Sequence, residues 1–138
     1  GMDIALCRLD KSKNQLQYAG ANRPLYYFTE GVFNEIKADR QPIGKYDYRK
    51  QFTNHVLHLR QGDSVYLFSD GIIDQFGGEK SKKFTSRRLK TLLQSINEQP
   101  METQKQLIQE EFDQWRGENE PIDDVCMLGV RFIETASS

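Results

Sequence analysis

The chain has 138 residues, enough for one domain built on one hydrophobic core. A net charge of −1 and a pI of about 6.2 give no global field that would favour nucleic acid. Hydrophobic residues make up 37%, charged residues 28%, and mean hydropathy is −0.72, a polar globular balance. No stretch approaches the roughly 20 apolar residues of a membrane helix, so this segment is not expected to insert in a membrane.

The first half reads as a meander of strands. Residues 4–9 form the first, and Asp10-Lys11-Ser12-Lys13-Asn14 carries turn chemistry. Because the chain opens directly on a strand pattern, no signal peptide is expected. Residues 15–19 form the second strand, broken by 20–24. Strands at 25–29 and 32–37 flank a tight Glu30-Gly31 turn. Residues 38–49 are a polar connection containing Gln41-Pro42-Ile43-Gly44, and residues 52–60 are the next strand.

Gln61-Gly62-Asp63 turns into a strand over 64–69 that is apolar on both faces: Tyr66 and Phe68 alternate with Val65 and Leu67. Such a strand requires cover on both sides. A glycine-bearing basic loop is expected from Gly71 to about Phe84. Leu89, Leu92, Leu93 and Ile96 then follow helical spacing, with Thr85 or Ser86 available as N-cap. Pro100 opens a second helix, whose stripe is Met101, Ile108, Phe112 and Trp115 and whose stop is Gly117. Ile122-Asp123-Asp124-Val125 opens the last strand. Many strands, two helices and a closing strand make an α+β layout with helices grouped on an antiparallel sheet.

Asp70 ends the central strand, and the pair Asp123-Asp124 begins the last one. Taken alone, Asp-Gly after a strand is a turn signal, and acids before a strand are usually solvated. If the two strands are antiparallel neighbours, Asp70 and Asp123 meet at one sheet edge. Two carboxylates held together require a proton or a cation between them. An all-oxygen site suits Mg²⁺ or Mn²⁺, though such ions take about six oxygens in all.

His55 and His58, the only histidines, point to opposite faces of a strand and cannot share a metal there. Lys80, Lys82, Lys83, Arg87, Arg88 and Lys90 form a basic cluster, either a solvated loop and helix start or a patch that draws a phosphorylated partner towards the acid edge. Cys7 and Cys126 have no CxxC spacing. They read as buried free thiols within strands, with a disulfide between them as the alternative; two scattered cysteines fit a reducing cytoplasm better. No phosphate-binding glycine loop, Ser-His-Asp arrangement or zinc-ligand cluster is found.

The ordered set Tyr18-Ala19-Gly20-Ala21-Asn22-Arg23-Pro24-Leu25, Gln41-Pro42-Ile43-Gly44, Ser69-Asp70-Gly71 and Ile122-Asp123-Asp124-Val125 resembles the C-terminal part of the metal-dependent protein serine/threonine phosphatases. These are the PPM, or type 2C-like, family; the likeness is closest to its bacterial branch typified by stage II sporulation protein E, and Phe76-Gly77-Gly78-Glu79-Lys80 resembles a loop of one subgroup.

The resemblance implies an antiparallel β-sandwich flanked by helices, with 1–138 forming a single, incomplete domain. It implies two Mn²⁺ or Mg²⁺ ions that activate a water against phosphoserine or phosphothreonine. Asp70 and Asp123 would ligate one metal, and Asp124 and Gly71 would shape the site; on the charge reading above, Lys80, Lys82 and Lys83 would be the substrate-facing patch. That substrate would be a phosphorylated regulatory protein. An upstream sensor or regulatory domain and a homodimer belong to the same expectation.

Two departures stand out. No residue here matches the family's bridging aspartate, which lies in an N-terminal Asp-x-x-Gly-His-Gly-type segment. Cys126 stands where the family usually has Thr or Ser. The chain by itself is therefore expected to bind metal weakly and to be inactive. The competing reading is a catalytically silent binding module on the same fold.

Overall fold

The computed structural model describes residues 2–44 and 51–133, so the end of the expected polar connection, 45–49, lies outside the described residues. In chain order the elements are β1 (Ile4–Asp10), β2 (Gln15–Ala21), β3 (Leu25–Thr29), β4 (Val32–Ile36), β5 (His55–His58), β6 (Ser64–Phe68), α1 (Asp70–Ile73), β7 (Phe76–Gly77), β8 (Lys82–Lys83), α2 (Ser86–Ile96), α3 (Met101–Arg116) and β9 (Met127–Arg131). The larger strands form two sheets, ordered β1-β2-β5 and β4-β3-β6-β9, and β7 pairs with β8. The described residues gather into two compact units, one holding those up to Leu67 together with Val130 to Ile133, the other Phe68–Gly129.

In the first unit the sheets are built by antiparallel pairing. Leu6 faces Ala19 across β1 and β2, Tyr18 faces His55 across β2 and β5, and Tyr27 faces Val65 across β3 and β6. The β1–β2 turn has the chemistry its sequence indicates: the Asp10 carboxylate accepts from the Ser12 hydroxyl at 2.6 Å and from its backbone N–H at 3.0 Å. Period-two alternation sets the core. Leu16 and Tyr18 from one sheet meet Leu25 from the other, joined by Leu59 and Phe132, with Cys7, Leu57, Val65 and Leu67 packed around them. That is the sandwich expected, and Val65 and Leu67 are one face of the two-faced strand. On its other face Tyr66 packs edge-on against Phe28, which packs in the same way on Phe33.

The Tyr18–Leu25 segment is a structural buckle. The Tyr18 phenol donates to the Arg23 carbonyl. Gly20 makes this possible, because a Cβ there would lie 2.1 Å from the phenol oxygen. Asn22 takes a left-handed φ of 59° and donates from its side chain to Asp3 at 2.9 Å. Arg23 pairs with Asp3 at 3.6 Å.

In the second unit α2 buries Leu89, Leu93 and Ile96, while Leu92 is only half-buried. Thr85, not Ser86, is the N-cap: its hydroxyl accepts from the Arg88 N–H at 3.3 Å. Pro100 and Gly117 bound α3 as expected. Its apolar stripe stays half-buried, and the buried residue is Gln104, whose amide donates to the Asn97 and Gln99 carbonyls at 3.1 and 2.8 Å. Among the described residues no helix is long and apolar enough to cross a membrane.

Three expectations are corrected. The segment from Gly71 to Phe84 is no open loop: it holds α1 and the β7–β8 hairpin, fastened by Phe84 N–H to Gln75 O and Thr85 N–H to Ile73 O, both 2.8 Å. Strand β5 is confined to His55–His58 rather than running over 52–60. Cys126 is exposed and lies just ahead of β9 rather than buried within a strand, whereas Cys7 is partly buried and its thiol pKa is pushed up by that burial. Both thiols are free. His55 stacks on Tyr18 with ring centroids 5.8 Å apart, while His58 is exposed, so the histidines do face opposite ways.

Candidate metal centre

The acid edge is made where β6 ends and β9 has yet to begin. Strands β6 and β9 are neighbours. The Ser69 N–H donates to Cys126 O at 2.9 Å, while Phe132 N–H donates to Asp63 O at 2.7 Å. Residue numbers rise along one strand as they fall along the other, so the pairing is antiparallel, as the sequence requires for the acids to meet.

Two details differ from the sequence reading. Asp70 is the first residue of α1, with Ser69 as N-cap, rather than the last residue of a strand. Asp123-Asp124 precedes β9 by several residues instead of opening it. The backbone ladder stops at the Ser69–Cys126 bond, and a side chain takes over beyond it. The Ser69 hydroxyl donates to Asp124 O at 2.7 Å and accepts from the Cys126 N–H at 3.0 Å, so the segment is pinned without strand pairing.

Gly71 tightens the same junction: a Cβ there would stand 2.2 Å from Asp124 O and 3.1 Å from Asp123 O. The two acid-bearing segments thus lie backbone against backbone within one compact unit. Asp70 is half-buried; Asp123 and Asp124 are exposed. The Asp123 carboxylate accepts from the Asp124 N–H at 2.7 Å, which fixes its rotamer. Reasoning from the acids alone does not single out Ser69; its one sequence signal is a hydroxyl immediately before Asp-Gly at a strand end.

The donors fit a hard divalent cation in kind, since carboxylate and carbonyl oxygens are what Mg²⁺ and Mn²⁺ take. They fall short in number: among the described residues no group of three or more His, Cys, Asp or Glu is assembled to hold a metal.

The basic cluster divides. Lys82 and Lys83 form β8 and line a cleft of about 630 Å³ together with Arg87 and Arg88, whereas Lys80 sits exposed in the hairpin turn and does not line it. Lys83 pairs with Asp74, the C-cap of α1, at 3.5 Å.

A family model described as stage II sporulation protein E (SpoIIE) matches residues 1–133. The SiaA-PP2C domain of Pseudomonas aeruginosa superposes with a TM-score of 0.86 at 34% identity, over 94% of this chain and 51% of that one. The phosphatase domain of the cell fate determinant SpoIIE from Bacillus subtilis gives a TM-score of 0.69 at 18% identity, over 99% and 60%. The RsbU and RsbW domains of a Mycobacterium tuberculosis protein give 0.74 at 19%, over 96% and 37%. The mixed α+β fold with antiparallel sheets is common to all, and this chain spans between about a third and three-fifths of their lengths. Among curated proteins compared by sequence, none matches.

Proposed function

This chain belongs to the stage II sporulation protein E family, and on that footing we propose that it is the C-terminal part of a metal-dependent protein serine/threonine phosphatase domain. The similarity to the SiaA-PP2C domain at 34% identity supports a phosphatase. The feature of this chain that best supports it is the lock of Ser69 onto Asp124 and Cys126, which sets the Asp70 and Asp123 segments side by side.

Asp70 and Asp123 would hold one Mn²⁺ or Mg²⁺. When bound, such an ion activates water at neutral pH and offsets charge on the phosphoryl oxygens. Asp70 takes its position from the first turn of α1, Asp123 takes its rotamer from the Asp124 N–H, and Gly71 keeps the two segments in contact. The substrate would be a phosphorylated regulatory protein, and the domain would act as the cytoplasmic output of a signalling protein that also carries a sensor or regulatory domain. The chain alone, with two carboxylates, is expected to bind metal weakly and turn over little or no substrate. A homodimer through apolar sheet surface is part of the same proposal.

The test is Asp70→Asn in the full-length protein. Mn²⁺-dependent hydrolysis of phosphoserine peptides should fall about 100-fold or more, with the fold retained by circular dichroism. Unchanged turnover would remove Asp70 from the site.

A second reading, a catalytically silent phosphatase-like binding module, is favoured by the absence of a three-membered ligand group among the described residues. It requires the full-length protein to show no Mn²⁺-dependent hydrolysis at all.

A further inference from the structure

The cleft beside the hairpin runs against the charge of the chain. Net charge is −1 overall, yet the cleft's side chains include Lys82, Lys83, Arg87 and Arg88 against the single carboxylate of Glu111. Its wall is apolar: Phe84 is buried, and Leu92 and Trp115 are half-buried beside it.

Arg88 is held in place. Its guanidinium lies 3.9 Å from the centre of the Trp115 ring and 5.8 Å from that of Phe84. A stacked guanidinium spends its face on the aromatic ring and keeps its in-plane N–H fork for a carboxylate or phosphate. The cleft is also joined to the acid edge within the same unit. Thr85 N–H bonds Ile73 O at the end of the helix that Asp70 begins, and Lys83 reaches Asp74.

From this we infer that the cleft is a docking groove for an acidic peptide segment of the protein substrate, with carboxylates on the Lys and Arg rim and an apolar side chain against Trp115. The inference rests on the phosphatase reading for the word substrate, but not for the binding itself. An extended segment seated there is tethered beside α1, and tethering raises the local concentration of its phosphorylated residue at Asp70.

Trp115 is the chain's only tryptophan, so its emission reports on the groove directly. The experiment titrates the 138-residue chain with a synthetic peptide of glutamates around a central leucine, following Trp115 fluorescence without metal. A saturable change that weakens with salt is expected. The double variant Lys82→Glu/Arg87→Glu should weaken binding about tenfold, and Lys105→Glu, a charge reversal on α3 outside the groove, less than about twofold.

Four results would overturn the proposal: no saturable change, equal weakening by Lys105→Glu, displacement of the peptide by comparable concentrations of inorganic phosphate, or tighter binding of a single-stranded oligonucleotide. Peptide binding without hydrolysis in the full-length protein would sink the phosphatase reading and leave the groove. Hydrolysis with no peptide binding would do the reverse.

Discussion

Gly71 is dictated by space rather than by backbone freedom, because the Asp124 carbonyl oxygen would lie 2.2 Å from any Cβ placed there. Gly71→Ala must push the Asp123-Asp124 segment away, at a cost of about 1–3 kcal/mol, and should lower metal affinity along with thermal stability. Ser69→Ala removes two hydrogen bonds at the same junction and is expected to cost about 1–2 kcal/mol, while Ser69→Thr keeps the hydroxyl and should recover most of it; denaturant unfolding compares the two. In the first unit, Tyr18 has its phenol pKa pushed up to about 12, burial being the leading cause. Its folded value is therefore above the unfolded value of about 10, so its contribution is complete below pH ~10 and fades as pH climbs towards the folded value. The stability gap between the native chain and Tyr18→Phe, measured by denaturant unfolding across that range, should shrink accordingly; a constant gap would contradict the assignment. That the Asp70 and Asp123 segments lie side by side was legible because each borders an apolar run. The Ser69 hydroxyl that bonds Asp124 and Cys126 was not, because serine before Asp-Gly also reads as turn chemistry.

Longer elements announce themselves by period and caps, and short ones do not. Helices α2 and α3 were readable from their apolar spacing and from Thr85, Pro100 and Gly117. Four-residue α1 and the two-residue strands β7 and β8 have no period to read, and backbone bonds from Phe84 and Thr85 hold them in place. The buried position of α3 is Gln104 because an amide there can satisfy two carbonyls at the end of α2, a need that an apolar stripe does not reveal. Thr85 caps α2 at φ 77° and ψ 154°, a region that a β-branched residue enters at a cost of about 1–3 kcal/mol. Thr85→Gly relieves that strain but loses a few tenths of a kcal/mol of capping and about 0.5–1 kcal/mol through the unfolded chain. A net gain of about 0.5–1 kcal/mol is expected in thermal unfolding, and a loss would mean that the cap outweighs the strain.

At the scale of the molecule, the outer face of the β1-β2-β5 sheet carries exposed apolar side chains. Leu6, 65% exposed, lies across from Ala19, and Val56, 47% exposed, lies across from Gln17. Apolar sheet surface of this kind associates, so the chain should self-associate with rising concentration in sedimentation velocity, and Leu6→Lys should reduce it. A strand apolar on both faces demands cover without saying what supplies it, so the two-sheet sandwich came only with the family resemblance, and the division into two compact units depends on non-local pairing that no single strand encodes. The central claim remains that Asp70 and Asp123 together hold a divalent cation. Calorimetric titration of the full-length protein with Mn²⁺ tests it most directly. Asp70→Asn and Asp123→Asn should each weaken Mn²⁺ binding by about tenfold or more, and affinity unchanged in both variants would contradict the account.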